Sequence, residues 1–411
     1  MPKQTYQSRH DTAVLAPPDP LPIPHANAFV TDPQFGAQRI LRVTDPQVSA
    51  RSCWTTSAAA ANAWNLDSTF FYYTQERGAD WLARFDPATF RTVVEYRLPL
   101  DGCSFSYAHS ELLYGCKSHR IYEYNIYTRQ ARMLVDLAQA TGAPINHEAR
   151  VTESQGWVMV SCGTSTQDQD IYCVLYRLSN GATQVLNTAA GTLDGRPLDP
   201  RISFRVHDAA LVKGTPRYAL ITPAAGSDKY QTYVWDLTEE DFIYPVTVRD
   251  TGHTANGFGR RMNPAYNAGV KSAFLRGLAY AAVNAPAFHA ALSNELVESH
   301  YSWNNNVGWA HIPVLGSTAQ VNDGPWGYLA GEIFAISTEP ANPRVWRFCH
   351  NRSIWDGVNL GANFYDTPRG NVSQDGKYFL FSSNWLRTLG AGLRDDGTSA
   401  FRSDVFLVEL R

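Results

Sequence analysis

The feature that most limits what this chain can become is a recurrence. Short runs rich in Val, Ile, Tyr, Phe and Trp, broken by Gly, Asp, Asn and Pro, return along its 411 residues with a period of roughly 45–50 residues, room for four strands and their turns. Trp64–Thr74, the run from Trp81 and Thr92–Arg97 set the order; Leu112, Ile121 and Ala131 repeat it. Gly156, Ile171 and Thr183 open the next set, and Tyr218 and Gln231 the one after. An irregular unit spans Thr251–Leu296, another runs from His300 to Ile354, and the last holds Asn371–Ser383 and Asp404–Leu410. No single unit can bury both faces of its strands, whereas units stacked radially can. The pattern therefore predicts an all-β, seven-bladed β-propeller of four-stranded antiparallel blades. An N-terminal strand, Gln38–Thr44, would close the ring beside Val405–Leu410. Residues 1–37, with the Pro-rich stretch Ala16–Pro24, read as an extended arm, and 38–411 as the propeller domain. A pair of β-sandwiches would give the same strand signals. Helix is expected only at Val135–Ala140 and Phe288–Leu296.

Composition narrows the function classes. With 44% hydrophobic and 18% charged residues the chain can bury a large core. A net charge of −3 provides no field for phosphate backbones or anionic lipid, so nucleic acid is not an expected partner. No apolar run approaches the ~20 residues of a membrane helix.

Six cysteines form an even set. Cys103 with Cys116, and Cys162 with Cys173, flank turns between β-type runs, which leaves Cys53 for Cys349. Three disulfides would place the protein in an extracytoplasmic compartment, its leader removed; six buried thiols are the other reading.

A histidine stands shortly before the first strand of successive units: Asn146-His147, Val206-His207, Gly252-His253 and Ser299-His300, with Asp366-Thr-Pro-Arg369 in the related place of the last. In a propeller such positions converge on one channel mouth. Imidazoles meeting there suit Zn²⁺ or Mn²⁺, and His350 could join them. Each alone is more often a hydrogen-bonded structural residue. Tyr301, Trp303, Trp309, Trp326 and Trp355 could stack on sugar rings, and Asn304, Asn305 and Asn306 could bind hydroxyls; most tryptophans must nevertheless be inter-blade core. Glu148, Asp208 and Glu298 adjoin the histidines and leave a hydrolytic carboxylate pair open. Asp366 and the pair Asp395-Asp396 read as Ca²⁺ ligands or surface loop, and Asn351-Arg-Ser and Asn371-Val-Ser fit the glycosylation sequon. Nucleophile-elbow, phosphate-loop, HExxH and EF-hand patterns are missing, and no nucleotide cofactor is expected.

Ser373-Gln-Asp-Gly-Lys-Tyr-Phe-Leu-Phe-Ser-Ser followed by Asp404-Val-Phe-Leu-Val-Glu-Leu resembles the blade repeat of TolB-type propellers, many of them secreted bacterial proteins without assigned function. Gly252-His253-Thr and Ser299-His300-Tyr-Ser resemble histidine-bearing segments of oligogalacturonate lyases built on that fold. That resemblance implies a channel metal holding a uronate carboxylate while a base removes the α-proton. Carried onto this chain, it places His253, His300 and His350 on the metal and His147 as base. Arg260 or Arg369 falls on the carboxylate, and His207, Tyr301, Trp303, Asn304 and Arg352 on the sugar. The expectation is a secreted propeller binding an acidic or neutral polysaccharide or oligosaccharide in its channel, with metal-assisted elimination as its chemistry. The alternative is a non-catalytic propeller binding glycan or protein, or assembling at the cell surface, with structural histidines.

Overall fold

A computed structural model describes the chain except residues 1–5, 16–20, 37, 57–60, 77, 166–168, 199–201, 216, 225–231, 239–241, 247–253, 268–269, 283–285, 292–296, 322–323, 342–343, 356–366 and 394–398. Its strands form sheets, antiparallel but for the pairing of Ile354–Trp355 with Val314–Val321, arranged as the blades of a β-propeller. Cys53–Trp54, Phe70–Gln75, Ala79–Asp86 and Arg91–Arg97 form one blade, and Asp101–Phe105, Leu112–Lys117, Arg120–Asn125 and Gln130–Asp136 the next. The following sheet has seven strands, built on Trp157–Gly163, whose inner neighbour is interrupted into His147–Glu148 and Thr152–Ser154. Val206–Leu211 and Ala255–Gly257 start four-stranded sheets; Val297–Ser302 starts one of five. In the last blade Gly370–Val372, Tyr378–Ser383 and Asp404–Glu409 are joined by Arg39–Arg42 and Phe29–Thr31 from the N-terminus, with Ile40 opposite Val408. A separate hairpin pairs Ala391–Leu393 with Ser399–Phe401.

The expected ring of seven four-stranded blades is thus corrected, because strand number varies from blade to blade between four and seven. Additions at outer edges cause this: the paired strands Thr192–Leu193 and Arg196–Pro197 extend one sheet, and the N-terminal segment supplies two strands to another. The helix expected over Phe288–Leu296 is also corrected: Pro286–Ala291 is a strand paired with Val270–Gly277, and 292–296 lie outside the described residues. Sheet pairing overrides local helix propensity there. A short helix does occupy Leu137–Thr141, capped by the Asp136 carboxylate.

Neighbouring blades are tied seam by seam. Phe105 N donates to Asn62 O at 2.8 Å, Val151 N to Gly102 O at 2.9 Å, and Phe258 N to Lys213 O at 2.6 Å. Leu211 N reaches Thr152 Oγ1 at 3.1 Å, Val372 N reaches Ser302 Oγ at 3.2 Å, and Thr55 N reaches Ser382 Oγ at 2.9 Å. Two-residue hairpins keep the inner turns tight. Gln155-Gly156 and Phe258-Gly259 both hold positive φ at each central residue, the turn whose twist matches antiparallel strands. Between the blades lies an aromatic core: Trp64 is fully buried, 4.9 Å from Phe71, and its Nε1 donates to Asn371 O across the seam.

No disulfide forms; all six cysteines are buried free thiols. Register is the reason. Cys162 stands opposite Tyr172 and Cys173 opposite Ser161, one step apart, so their side chains point to opposite faces and enter different cores. A bulge after Asp101 does the same to Cys103 and Cys116. Cys53 and Cys349 lie in the cores of different blade pairs. Six free thiols give no sign of an oxidising compartment. Among the described residues no helix is long and apolar enough to cross a membrane.

Candidate functional site

The channel has two chemically different ends. Where the inner strands finish, side chains from many blades knot together around Asn304. Its Nδ2 donates to Ala61 O at 3.0 Å and to Asn371 Oδ1, and its Oδ1 accepts from Tyr107 Oη at 2.7 Å. Lys213 reaches in from another blade, donating to Asn304 O and, at 2.5 Å, to Asn305 O. Its ammonium lies 4.9 Å from the Tyr107 ring and 5.4 Å from that of Phe258, and burial lowers its pKa well below the usual lysine range. Gln374 donates to Asn62 Oδ1 at 3.0 Å, and Glu153 accepts from Tyr107 N at 2.7 Å. This end is dense and largely bonded within the protein, with Asn305 Oδ1, Asn371 Nδ2 and Gln374 Oε1 buried without a hydrogen-bond partner among the described residues.

At the end where the inner strands begin, polar side chains are partly open to solvent. His147 opens the interrupted inner strand with its side chain 26% exposed, Nδ1 lying 2.8 Å from Oδ1 of the buried Asp170. Ser161 Oγ donates to Asp170 Oδ2 at 2.9 Å, and the Asp170 backbone carbonyl accepts from Val206 N, so the carboxylate is fixed between two blades. Three residues on, Arg150 places Nη1 3.7 Å from Asp80 Oδ2 and donates from Nη2 to Thr74 Oγ1 at 3.2 Å. Thr74 Oγ1 in turn donates to Asp80 Oδ1 at 2.6 Å. His119, on a two-residue hairpin turn, lies 2.5 Å from Glu148 Oε2. Asp101 is near the same group; burial first, then the Asp80 charge, raises its carboxyl pKa. One short segment thus offers an imidazole oriented by a carboxylate and a guanidinium anchored at its back.

The sequence-predicted residues divide between these ends. His207 is exposed near the start of its inner strand, and Arg369 is buried immediately before Gly370–Val372, so both share the His147 end. Arg260 lies exposed on the hairpin that follows Ala255–Gly257, at the opposite end. Tyr301, Trp303 and Asn304 are buried at or beyond the finish of their strand; Trp303 Nε1 donates to Ile312 O, and its ring meets Phe258 edge-on. Arg352 is buried past the outer strand Val345–His350. His253 lies outside the described residues.

The divalent metal on His253, His300 and His350 is corrected: among the described residues no group of three His, Cys, Asp or Glu side chains could hold a metal ion. His300 sits on the inner strand and His350 on the outermost strand of one sheet, separated by two others. At ~4.8 Å per strand that is roughly 14 Å, against a metal–imidazole bond of about 2.1 Å. His350 is instead 3.1 Å from Asp32 Oδ2 through Nδ1 and packs edge-on to Phe35 and Trp326.

Arg150, Asp170, His119 and Lys213 escaped the sequence reading. Asp170 follows His147 by 23 residues, and only the register of Trp157–Gly163 brings them together.

No family model matches the chain, and no curated protein matches it. Among solved structures, an oligogalacturonate lyase from Vibrio parahaemolyticus superposes with TM-score 0.59 at 8% identity, covering 93% of this chain and 96% of that one. The RRP9 WD40 repeats give TM-score 0.47 at 11% identity, covering 88% and 98%. The first likeness shows a shared fold.

Proposed function

We propose that the protein takes an acidic saccharide at the channel end where the inner strands begin, and cleaves it there by metal-independent β-elimination. The observation that carries this reading is the His147–Asp170 pair beside Arg150. Nδ1–H directed at Asp170 makes Nε2 the basic nitrogen of the neutral imidazole, and the buried carboxylate stabilises the imidazolium that forms when His147 takes a proton. Arg150 faces the carboxylate of a uronate, reducing the cost of the carbanion-like charge that builds as the α-proton leaves. The electrons of that C–H bond form the new C=C bond, the adjacent glycosidic C–O bond breaks, and Asp101, its carboxyl pKa raised, supplies the proton for the leaving oxygen. The likeness to an oligogalacturonate lyase supports a uronate as the sugar class.

The test is incubation with oligogalacturonate in the presence of a chelator, following the ultraviolet absorbance of an unsaturated product. His147→Ala is expected to slow the reaction ~10²–10⁴-fold. Binding without turnover would instead support the non-catalytic reading.

A further inference from the structure

The turn that follows Val345–His350 holds an unusual surplus of hydrogen-bond donors. Arg352, only 1% exposed, adopts φ 58°, a left-handed conformation that turns its side chain inward. Its guanidinium stacks 5.3 Å from the Trp385 ring, and Trp385 is itself stacked on Phe406 at 4.8 Å, so one face of the guanidinium is fixed by a rigid aromatic pair. Stacking engages the face and leaves the donor edges to find acceptors in the plane. Among the described residues they find none: Nε, Nη1 and Nη2 are all buried without a hydrogen-bond partner, and Asp32 Oδ2 is 3.6 Å away. That oxygen is already engaged by the backbone N and Nδ1 of His350. Three residues beyond, Trp355 Nε1 is also buried without a partner.

A guanidinium brings five N–H donors and an indole one more, and leaving even one buried donor unmet costs ~1–3 kcal/mol. Two other buried arginines meet their acceptors: Arg347 forks onto Glu332 at 2.8 and 2.5 Å, and Arg402 onto Asp404 at 3.1 and 2.8 Å. We propose that the Arg352–Trp355 turn is an oxyanion-binding site, in which a carboxylate or an inorganic oxyanion accepts from the Arg352 fork and from Trp355 Nε1. The turn follows a strand of a different sheet from the one that carries His147, and the proposal stands whether or not the saccharide reading holds. A planar fork with an unmet edge fits two parallel oxygens of one anion.

The experiment is isothermal titration of the full chain, in a buffer whose own anion is a bulky sulfonate, with sulfate, galacturonate and galactose separately. Saturable binding of sulfate that the variants of this turn weaken assigns the site to a free inorganic oxyanion, and binding of galacturonate but neither sulfate nor galactose, weakened by the same variants and kept in Arg150→Met, assigns it to a sugar carboxylate; either supports the proposal. Arg352→Lys keeps the charge but loses the fork and is expected to weaken binding at least about tenfold, against about fivefold for Trp355→Phe, the effect of one lost hydrogen bond. Should Arg352→Lys not fold, Trp355→Phe decides. No saturable binding of either anion, galactose binding as well as galacturonate, or wild-type affinity in the folded variants would overturn it.

Discussion

Asp170 accepts from two directions at once: His147 Nδ1 at 2.8 Å on one oxygen and Ser161 Oγ at 2.9 Å on the other. A carboxylate held in this way fixes both the tautomer and the direction of the imidazole ring. Asp170→Asn should preserve the fold but allow the other tautomer, lowering turnover of an oligouronide by ~10²–10⁴-fold with little change in KM. Steady-state kinetics beside the far-ultraviolet spectrum checks this.

The ring seam hangs on Asp404, which is fully buried and accepts from Arg42 on the closing strand, from Arg402 at 2.8 Å and from Thr44 Oγ1 at 3.0 Å. Removing it leaves two buried guanidinium groups without their counter-ion. Asp404→Ala should cost about 3–5 kcal/mol, read as a lowered midpoint in urea. An unchanged midpoint would show that the N-terminal strand closes the ring without it.

Lys213 gives stability a pH dependence with a definite sign. Burial lowers its folded-state pKa below the unfolded value of ~10.4, so between the two the unfolded chain binds the extra proton. Stability then rises as pH increases through that window, from the folded pKa upward to the unfolded one. Lys213→Met should flatten this rise. Urea midpoints at steps from pH 7 to 10 measure the difference, and parallel profiles would contradict it.

The strand recurrence made the all-β character and the closing strand Arg39–Arg42 legible, because alternation and turn residues are local properties. Strand number per blade was not legible, since the strands Thr192–Leu193 and Phe29–Thr31 are too short to announce themselves. The cysteines show the limit sharply. Cys162 and Cys173 do flank one hairpin, but a single step of register sends them to opposite faces, and sequence proximity carries no register. His147 is legible from its place before a strand, whereas its partner Asp170 is brought to it only by the fold. Joining His350 to His300 fails for metal because the two occupy inner and outer strands of the same sheet.

The cysteines yield a chemical prediction of their own. Burial raises every thiol pKa, that of Cys53 to about 12 and Cys349 well above the usual range. The native protein should react with less than one equivalent of iodoacetamide at pH 8 and the unfolded protein with all six, while a reductant should leave the thermal midpoint unchanged. A midpoint lowered by reductant would mean that disulfides form after all.

The most direct test of the central claim is the initial rate of unsaturated-product formation from oligogalacturonate, with chelator present, for the wild-type protein, His147→Ala and Arg150→Met. The account predicts chelator-resistant activity in the wild type, near-complete loss in His147→Ala, and a rise in KM with a fall in kcat in Arg150→Met. A wild-type protein inactive on every uronate polymer, or a His147→Ala variant as fast as wild type, would contradict it.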